Sequence, residues 1–185
     1  MPRLFTALEI PHDAALSLSL LRGGLPGARW IDTENYHITL RFFGDMSNQT
    51  ADELVHALDR VERKFFSLRL KGIDVFGSKT PRSIYARVEP CDELLTLQSD
   101  IDRIAKKLGL KLDKGKFIPH VTVARLNQVK LDNLLSYLSS RGNFETAPFP
   151  ISRFVLMSSQ ESIGGGPYII EESWNLIGKL PDAVK

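Results

Sequence analysis

The sequence predicts an α+β fold: two pseudo-symmetric lobes of mainly antiparallel sheet flanked by helices, with a cleft between them. Three observations predict it. Apolar residues alternate in some segments and recur every three or four residues in others, which are the periods of strand and helix. The two kinds of segment follow one another along the whole chain with no long linker and no low-complexity stretch. A short pattern, His-apolar-Thr-apolar, stands once in each half, as His37-Ile38-Thr39-Leu40 and His120-Val121-Thr122-Val123. A repeat of half the chain implies two similar lobes about a pseudo-twofold axis, and repeats of that length set the fold. Residues 1–185 are therefore expected to form one bilobal domain in which 37–40 and 120–123 are equivalent.

Arg3 to Ile10 reads as a strand ended by Pro11, and Asp13 to Arg22 as a short helix stopped by Gly23 and Gly24. A second strand is expected from Tyr36 to Phe43. Thr50 to Glu53 has the capping-box form, a hydroxyl at the cap and a carboxylate three residues on, and opens a helix with Leu54, Leu58 and Val61 on one face. Phe65 to Phe76 and Ile84 to Val88 read as strands joined by a turn at 77–82. Asp92 is placed to cap a helix carrying Leu94, Leu97, Ile101, Ile104 and Leu108, with Gly109 where helices commonly stop. In the second half, His120 to Leu126 reads as a strand. Leu131 to Leu138 reads as a helix with Leu131, Leu134, Leu135 and Leu138 inward. Ile151 to Gln160 and Tyr168 to Ile177 read as closing strands around the glycine run Gly164-Gly165-Gly166.

Composition narrows the classes. With 43% hydrophobic and 25% charged residues the chain is ordinary globular material, not a disordered or coiled-coil one. No apolar run approaches the ~20 residues that cross a bilayer, and the apolar stretch Ala14 to Leu21 lacks the basic leader of a secretory signal. Cys91 is the single cysteine, so no intramolecular disulfide forms and a cysteine-built zinc site is disfavoured. A cytoplasmic location is expected. A net charge of +2 and a pI near 8.7 fall short of the basic footprint of long-duplex binders, at about 9 and above. A small anion, or the short end of a nucleic acid, fits better.

On a strand, residues two apart share a face. His37 and Thr39 therefore share one face and Ile38 and Leu40 the other; His120 and Thr122 are set against Val121 and Val123 in the same way. Two imidazoles and two hydroxyls across a cleft suit attack on a phosphodiester. Imidazole is available in both protonation states near neutrality. One ring takes the proton of an incoming water and the other protonates the departing oxygen, with the two roles exchangeable on this evidence. Hydroxyls donate to the non-bridging oxygens, where charge gathers. No metal or other cofactor is required. Two histidines fall short of the usual zinc donor set, no Gly-x-Ser-x-Gly is present for a serine nucleophile, and the glycine run lacks a Walker lysine. His12 and His56 stand in no such context and read as surface residues.

These residues resemble the 2H phosphoesterases, and within them the RNA 2',3'-cyclic phosphodiesterases historically called 2'-5' RNA ligases. The resemblance runs from Arg3-Leu4-Phe5-Thr6-Ala7-Leu8-Glu9-Ile10-Pro11, through Arg29-Trp30 and His37-Ile38-Thr39-Leu40-Arg41-Phe42-Phe43-Gly44-Asp45, to Pro119-His120-Val121-Thr122-Val123-Ala124-Arg125. It implies hydrolysis of a terminal 2',3'-cyclic phosphate to a 2'-phosphomonoester in the cleft. It makes His37 the proton donor to the leaving 3'-oxygen, His120 the base on water, and Thr39 and Thr122 the phosphate holders. It also implies a reverse joining of 2',5' ends without ATP. RNA ends, transfer-RNA fragments among them, or small cyclic nucleotides would be the partners, acted on by a monomer away from any membrane.

Arg125 is a phosphate-binding candidate by resemblance, although strict alternation from His120 puts it on the far face unless a bulge intervenes. Arg41 has the parity of His37. Phe43 and Tyr85 are further candidates to line the cleft, as are Phe42 and Trp30. Loops 77–82 and 161–167 are expected to border it. The competing expectation is a nucleotide- or RNA-end-binding module with little catalysis.

Overall fold

The computed structural model describes residues 3–160 and 166–178. Their elements are β1 (Arg3–Glu9), α1 (His12–Ser19), β2 (Ala28–Trp30), a single 3-10 turn at Thr33–Asn35, β3 (His37–Asp45), α2 (Asn48–Leu58), β4 (Phe66–Leu68) and β5 (Leu70–Phe76). There follow β6 (Ser83–Val88), α3 (Asp92–Lys107), β7 (His120–Leu126), α4 (Leu131–Arg141), β8 (Phe149–Ile151), β9 (Arg153–Ser159) and β10 (Tyr168–Asn175). The fold is α+β. One four-stranded sheet has the order β10-β9-β1-β3, a second has β2-β7-β6-β5, and β4 and β8 form a small ribbon. Every pairing within these sheets is antiparallel. Of the expected loop 161–167, only Gly166 and Pro167 are described.

The sheets share one core. Leu4, Leu8, Ile38 and Leu40 of the first sheet belong to the same buried cluster as Ile84, Ala86, Val121 and Val123 of the second. The alternation at 37–40 and 120–123 thus sends Ile38, Leu40, Val121 and Val123 inward and leaves the histidines and threonines on the opposite faces. Helix α3 packs on β3, and α2 on α3. Tyr137 of α4 lies under the second sheet, its ring 5.7 Å from Trp30 and its hydroxyl donating to the Leu21 carbonyl at 2.8 Å. A separate small cluster, Phe5, Ala7, Val155 and Met157 with Tyr168 against it, lies on the face of the first sheet that carries His37.

Several local expectations shift for identifiable reasons. The cap of α2 is Ser47, not Thr50: the Ser47 hydroxyl accepts the Thr50 backbone N–H at 3.2 Å, so the helix starts a turn early. Such a cap contributes about 1 kcal/mol. Cys91 occupies the cap of α3, and Asp92 is its first helical residue, placed where a carboxylate favours the helix dipole. The strand expected over 65–76 is divided at Arg69 between the ribbon and the second sheet. On α4, Leu131 and Leu135 are exposed and Tyr137 is buried with Leu134, so the inward face is turned from the all-leucine one.

Candidate active site

Both histidine strands carry a one-residue bulge at the same place. Against β1, Thr39 pairs with Ala7 and Arg41 with Thr6, so Leu40 is the extra residue. Against β6, Thr122 pairs with Tyr85 and Ala124 with Ile84, so Val123 is the extra residue. A bulge resets the side-chain alternation beyond it. In β7 this keeps Val123 and Ala124 buried and turns Arg125 out onto the face of His120 and Thr122. In β3 it turns Phe42 onto the His37 face, where its ring is 6.5 Å from Phe5, and sends Arg41 to the other side.

The parity expected for Arg41 is therefore corrected. Its guanidinium forms a two-point bond to Asp102 of α3, Nε to Oδ1 at 2.5 Å and Nη2 to Oδ2 at 2.7 Å, while Arg41 itself lines a groove together with Thr39 and His120. Gln98, one turn earlier on α3, donates to Asp102 at 3.0 Å and to the carbonyl of the bulged Leu40 at 3.3 Å. The carbonyl that a bulge leaves out of the ladder is thus satisfied from the helix. A second bulge, at Phe43 between the Phe42 and Gly44 pairings, puts the Phe43 ring in the core. Phe42, 46% exposed, is the open ring of that pair. Trp30 faces Tyr137, away from the histidines.

The two imidazoles are held alike. His37 Nδ1 is 2.8 Å from the Asn35 carbonyl and His120 Nδ1 is 2.6 Å from the Ile118 carbonyl. A carbonyl only accepts, so each Nδ1 carries the hydrogen, and each neutral ring keeps the Nε2 lone pair for chemistry. The turn at Thr33–Asn35 presents the first carbonyl. Pro119 presents the second, because the residue before a proline is held extended. The Thr39 hydroxyl is 3.1 Å from His37 Nε2, near enough to donate to the neutral ring and to accept from the charged one. Aromatic rings wall each imidazole. Phe5 and Tyr168 lie 5.3 and 4.8 Å from His37. Phe76 and Tyr85 lie 4.8 and 5.3 Å from His120, with Tyr85 buried and stacked on Phe76 at 4.1 Å. A groove of about 250 Å³ has Thr39, Phe42, Phe76 and His120 in its lining, so side chains of both sheets meet there.

Burial pushes His37 and His120 below the ordinary imidazole value of 6.5, and the carbonyl bonds oppose it. The Arg125 cation lowers both further, and His120 lowers His37. The Arg125 charge thus bears on both imidazoles, in keeping with the face that the register gives it. Thr122 lies half-exposed two residues beyond His120 on the same face. His12 and His56 are exposed. Among the described residues no three His, Cys, Asp or Glu side chains are grouped to hold a metal ion, and no helix is long and apolar enough to cross a membrane.

Sequence reasoning passed over Phe5, Phe76 and Tyr168. Alternation puts Phe5 on one face with Ala7, but only the β1–β3 register shows that this is the histidine face.

Comparison with known proteins extends the match beyond these side chains. A sequence profile of the 2'-5' RNA ligase superfamily fits residues 26–162, a span that includes both histidine strands. A protein named RNA 2',3'-cyclic phosphodiesterase from Aeropyrum pernix is 31% identical over 149 residues, 79% of this chain and 84% of that one. One of the same name from Geobacillus stearothermophilus is 35% identical over 128 residues, 65% of this chain but only 41% of that longer relative. The crystal structure of Escherichia coli LigT complexed with 3'-AMP shares the fold, with a TM-score of 0.77 at 21% identity over 96% of this chain and all of that one. A protein of Thermus thermophilus does so at 0.78 and 22% identity, with the same coverage. With the profile running through both bulged strands and the fold shared almost end to end, the chain belongs to the 2'-5' RNA ligase superfamily.

Proposed function

We propose that this chain is an RNA 2',3'-cyclic phosphodiesterase, working as one bilobal unit on the cyclic phosphate that ends an RNA strand. Water attacks phosphorus, the bond to the 3'-oxygen breaks, and a 2'-phosphomonoester remains. His120 takes the proton from water and His37 gives one to the leaving 3'-oxygen. Thr39, Thr122 and Arg125 hold the non-bridging oxygens as charge gathers on them. With a 5'-hydroxyl in place of water, the same step joins two ends through a 2',5' linkage. Both histidines come from one chain, so a monomer suffices. One unpaired cysteine suits a cytoplasmic setting.

The observation that carries this is the duplicated imidazole geometry, each Nδ1 bound to a main-chain carbonyl so that proton transfer falls to Nε2, which in His37 is also 3.1 Å from the Thr39 hydroxyl, with the Arg125 charge bearing on both rings. It supports acid–base chemistry over simple phosphate binding, which needs no matched pair of proton carriers. The names of the relatives supply the substrate.

The test is product analysis on an oligoribonucleotide ending in a 2',3'-cyclic phosphate, with EDTA present throughout. A 2'-phosphate product is expected. An unreacted but tightly bound end would return the protein to the class of binding modules, and a 3'-phosphate would reverse the regiochemistry.

The pH dependence follows from the same geometry. The active form needs one ring charged and one neutral, and both rings of the free enzyme titrate below their ordinary value. The bell in kcat/KM, which reports the free enzyme, is therefore expected to peak below pH 6.5. Bound phosphate stabilises an imidazolium, so the alkaline limb of kcat lies at higher pH. Arg125→Ala removes a cation that depresses both rings. Its kcat/KM bell is expected to move toward higher pH while its height falls about 10²-fold, the loss typical of one charge-stabilising donor. A bell of unchanged position in Arg125→Ala would separate this arginine from the imidazoles.

A further inference from the structure

Beyond Arg125 the second sheet carries a feature that the cyclic phosphate itself does not use. A groove of about 550 Å³ is lined by Arg29, Arg82 and Arg125 together with Gly27 and Asn127. We propose that this groove binds the phosphates of the RNA strand leading into the terminal cyclic phosphate, so that the enzyme selects oligonucleotide ends over cyclic mononucleotides. The proposal rests on the cyclic phosphodiesterase function proposed above and specifies its substrate.

The placement follows from register. Arg29 of β2 pairs directly with Arg125 of β7. Directly paired residues point to the same face, so the bulge at Val123 that turns Arg125 onto the histidine face aligns Arg29 with it. On the other side of β7, Arg82 precedes Ser83, the β6 partner of Arg125, and its carbonyl accepts the Leu126 N–H at 2.8 Å. Three arginines thus root on three neighbouring stretches of chain. Strands lie ~4.8 Å apart, so the row is about 10 Å wide at its base, more than one phosphate fills.

Charge points the same way. Arg29 and Arg125 stand directly opposite each other on neighbouring strands, so the register gathers two like charges at this groove. Among the described residues, neither Arg82 nor Arg125 has a carboxylate within ion-pair distance, which is true also of Arg60 and Arg141 but not of the arginines at 3, 22, 41, 63, 69, 87, 103 and 153. The net charge of +2 shows that the chain is not broadly basic, so this concentration is local. The groove contains no aromatic ring on which a base would stack. It therefore reads backbone charge and not sequence. Arg125 joins the two regions, since it acts on both histidines and lines the groove.

The experiment compares kcat/KM for a nucleoside 2',3'-cyclic phosphate with that for oligoribonucleotides of increasing length ending in the same nucleotide. It uses the full chain, Arg29→Gln, Arg82→Gln and Arg82→Lys, across a range of salt. The wild-type preference for longer ends over the mononucleotide is expected to rise over the first few nucleotides. Each Gln variant is expected to reduce that preference about tenfold, the effect of one lost hydrogen bond to a charged group. Each is also expected to flatten the logarithmic salt dependence on the longer ends by about 0.7. Arg82→Lys keeps the charge and is expected to keep the salt slope. A wild-type rate independent of length overturns the proposal, as does an equal loss on mononucleotide and oligonucleotide in the Gln variants. If no cyclic phosphate of any length is hydrolysed, the fault lies in the proposed activity and not in the groove alone.

Discussion

Replacing His37 or His120 by alanine is expected to lower kcat on a 2',3'-cyclic phosphate end by about 10²- to 10⁴-fold, the range for loss of a positioned acid or base. The double variant is expected to be scarcely slower than the worse single one, because the two rings act as a unit and their losses do not add. The fold should survive. Both rings lie on cleft faces outside the main core, and the apolar residues that alternate with them, Ile38 and Val121, carry the packing. Single-turnover rates and thermal unfolding of the three variants check this. Turnover retained in either single variant would overturn the two-histidine mechanism. Should alanine unfold the chain, His→Gln keeps the volume of the side chain and repeats the test.

Asp102→Ala is expected to be the most damaging change outside the histidines. Arg41 and Asp102 are only 14% and 18% exposed in their side chains, so removing the carboxylate leaves a largely buried guanidinium without a counter-charge, bonded only to the Asp113 carbonyl at 3.2 Å. Breaking such a pair costs about 3 kcal/mol or more, which at this chain length lowers the melting temperature by roughly 10 °C. Gln98 loses a partner in the same step, and with it the firm hold on the Leu40 carbonyl. The bulge that follows Thr39 is then less tightly held, and kcat should fall with little change in KM if Thr39 loses its register against His37. The double variant Arg41→Met with Asp102→Leu removes both charges and is expected to recover most of the melting temperature. A single Asp102→Ala variant as stable as the wild type would show that the pair contributes nothing.

The fold class was legible because the chain is consistent with itself at the level of period. β7 begins at His120 and ends at Leu126 as its alternation indicates, and α3 buries Leu94, Leu97 and Ile101 as its three-four spacing requires. β2 was not read, since three residues are too short for any period. The exposed Leu131 and Leu135 show another limit: tertiary packing gave the inward position to Tyr137, which has both a large ring and a hydroxyl with the Leu21 carbonyl in reach. The histidines and threonines were placed on the right strands and faces by sequence alone. What failed was parity past Thr39. Strict alternation puts Arg41 on the His37 face and Arg125 on the far one; the bulges at Leu40 and Val123 reverse both parities, although Arg41 still lines the groove beside Thr39 and His120. Neither bulge contains a glycine or a proline, so nothing in composition marks it. Each exists because of its neighbours, and Gln98 on a helix 58 residues away supplies the missing bond at Leu40.

The carbonyls of Asn35 and Ile118 belong to the main chain, so the address of each imidazole's proton is stored where substitution does not reach it. Many proton carriers are oriented by a carboxylate that one codon change removes. Here positions 35 and 118 are free, as far as this bond is concerned, to drift among many residue types while the tautomer stays the same. A search for the orienting partner by sequence variability would find nothing, and protein engineering that recodes the whole surface of the cleft would leave the two rings poised.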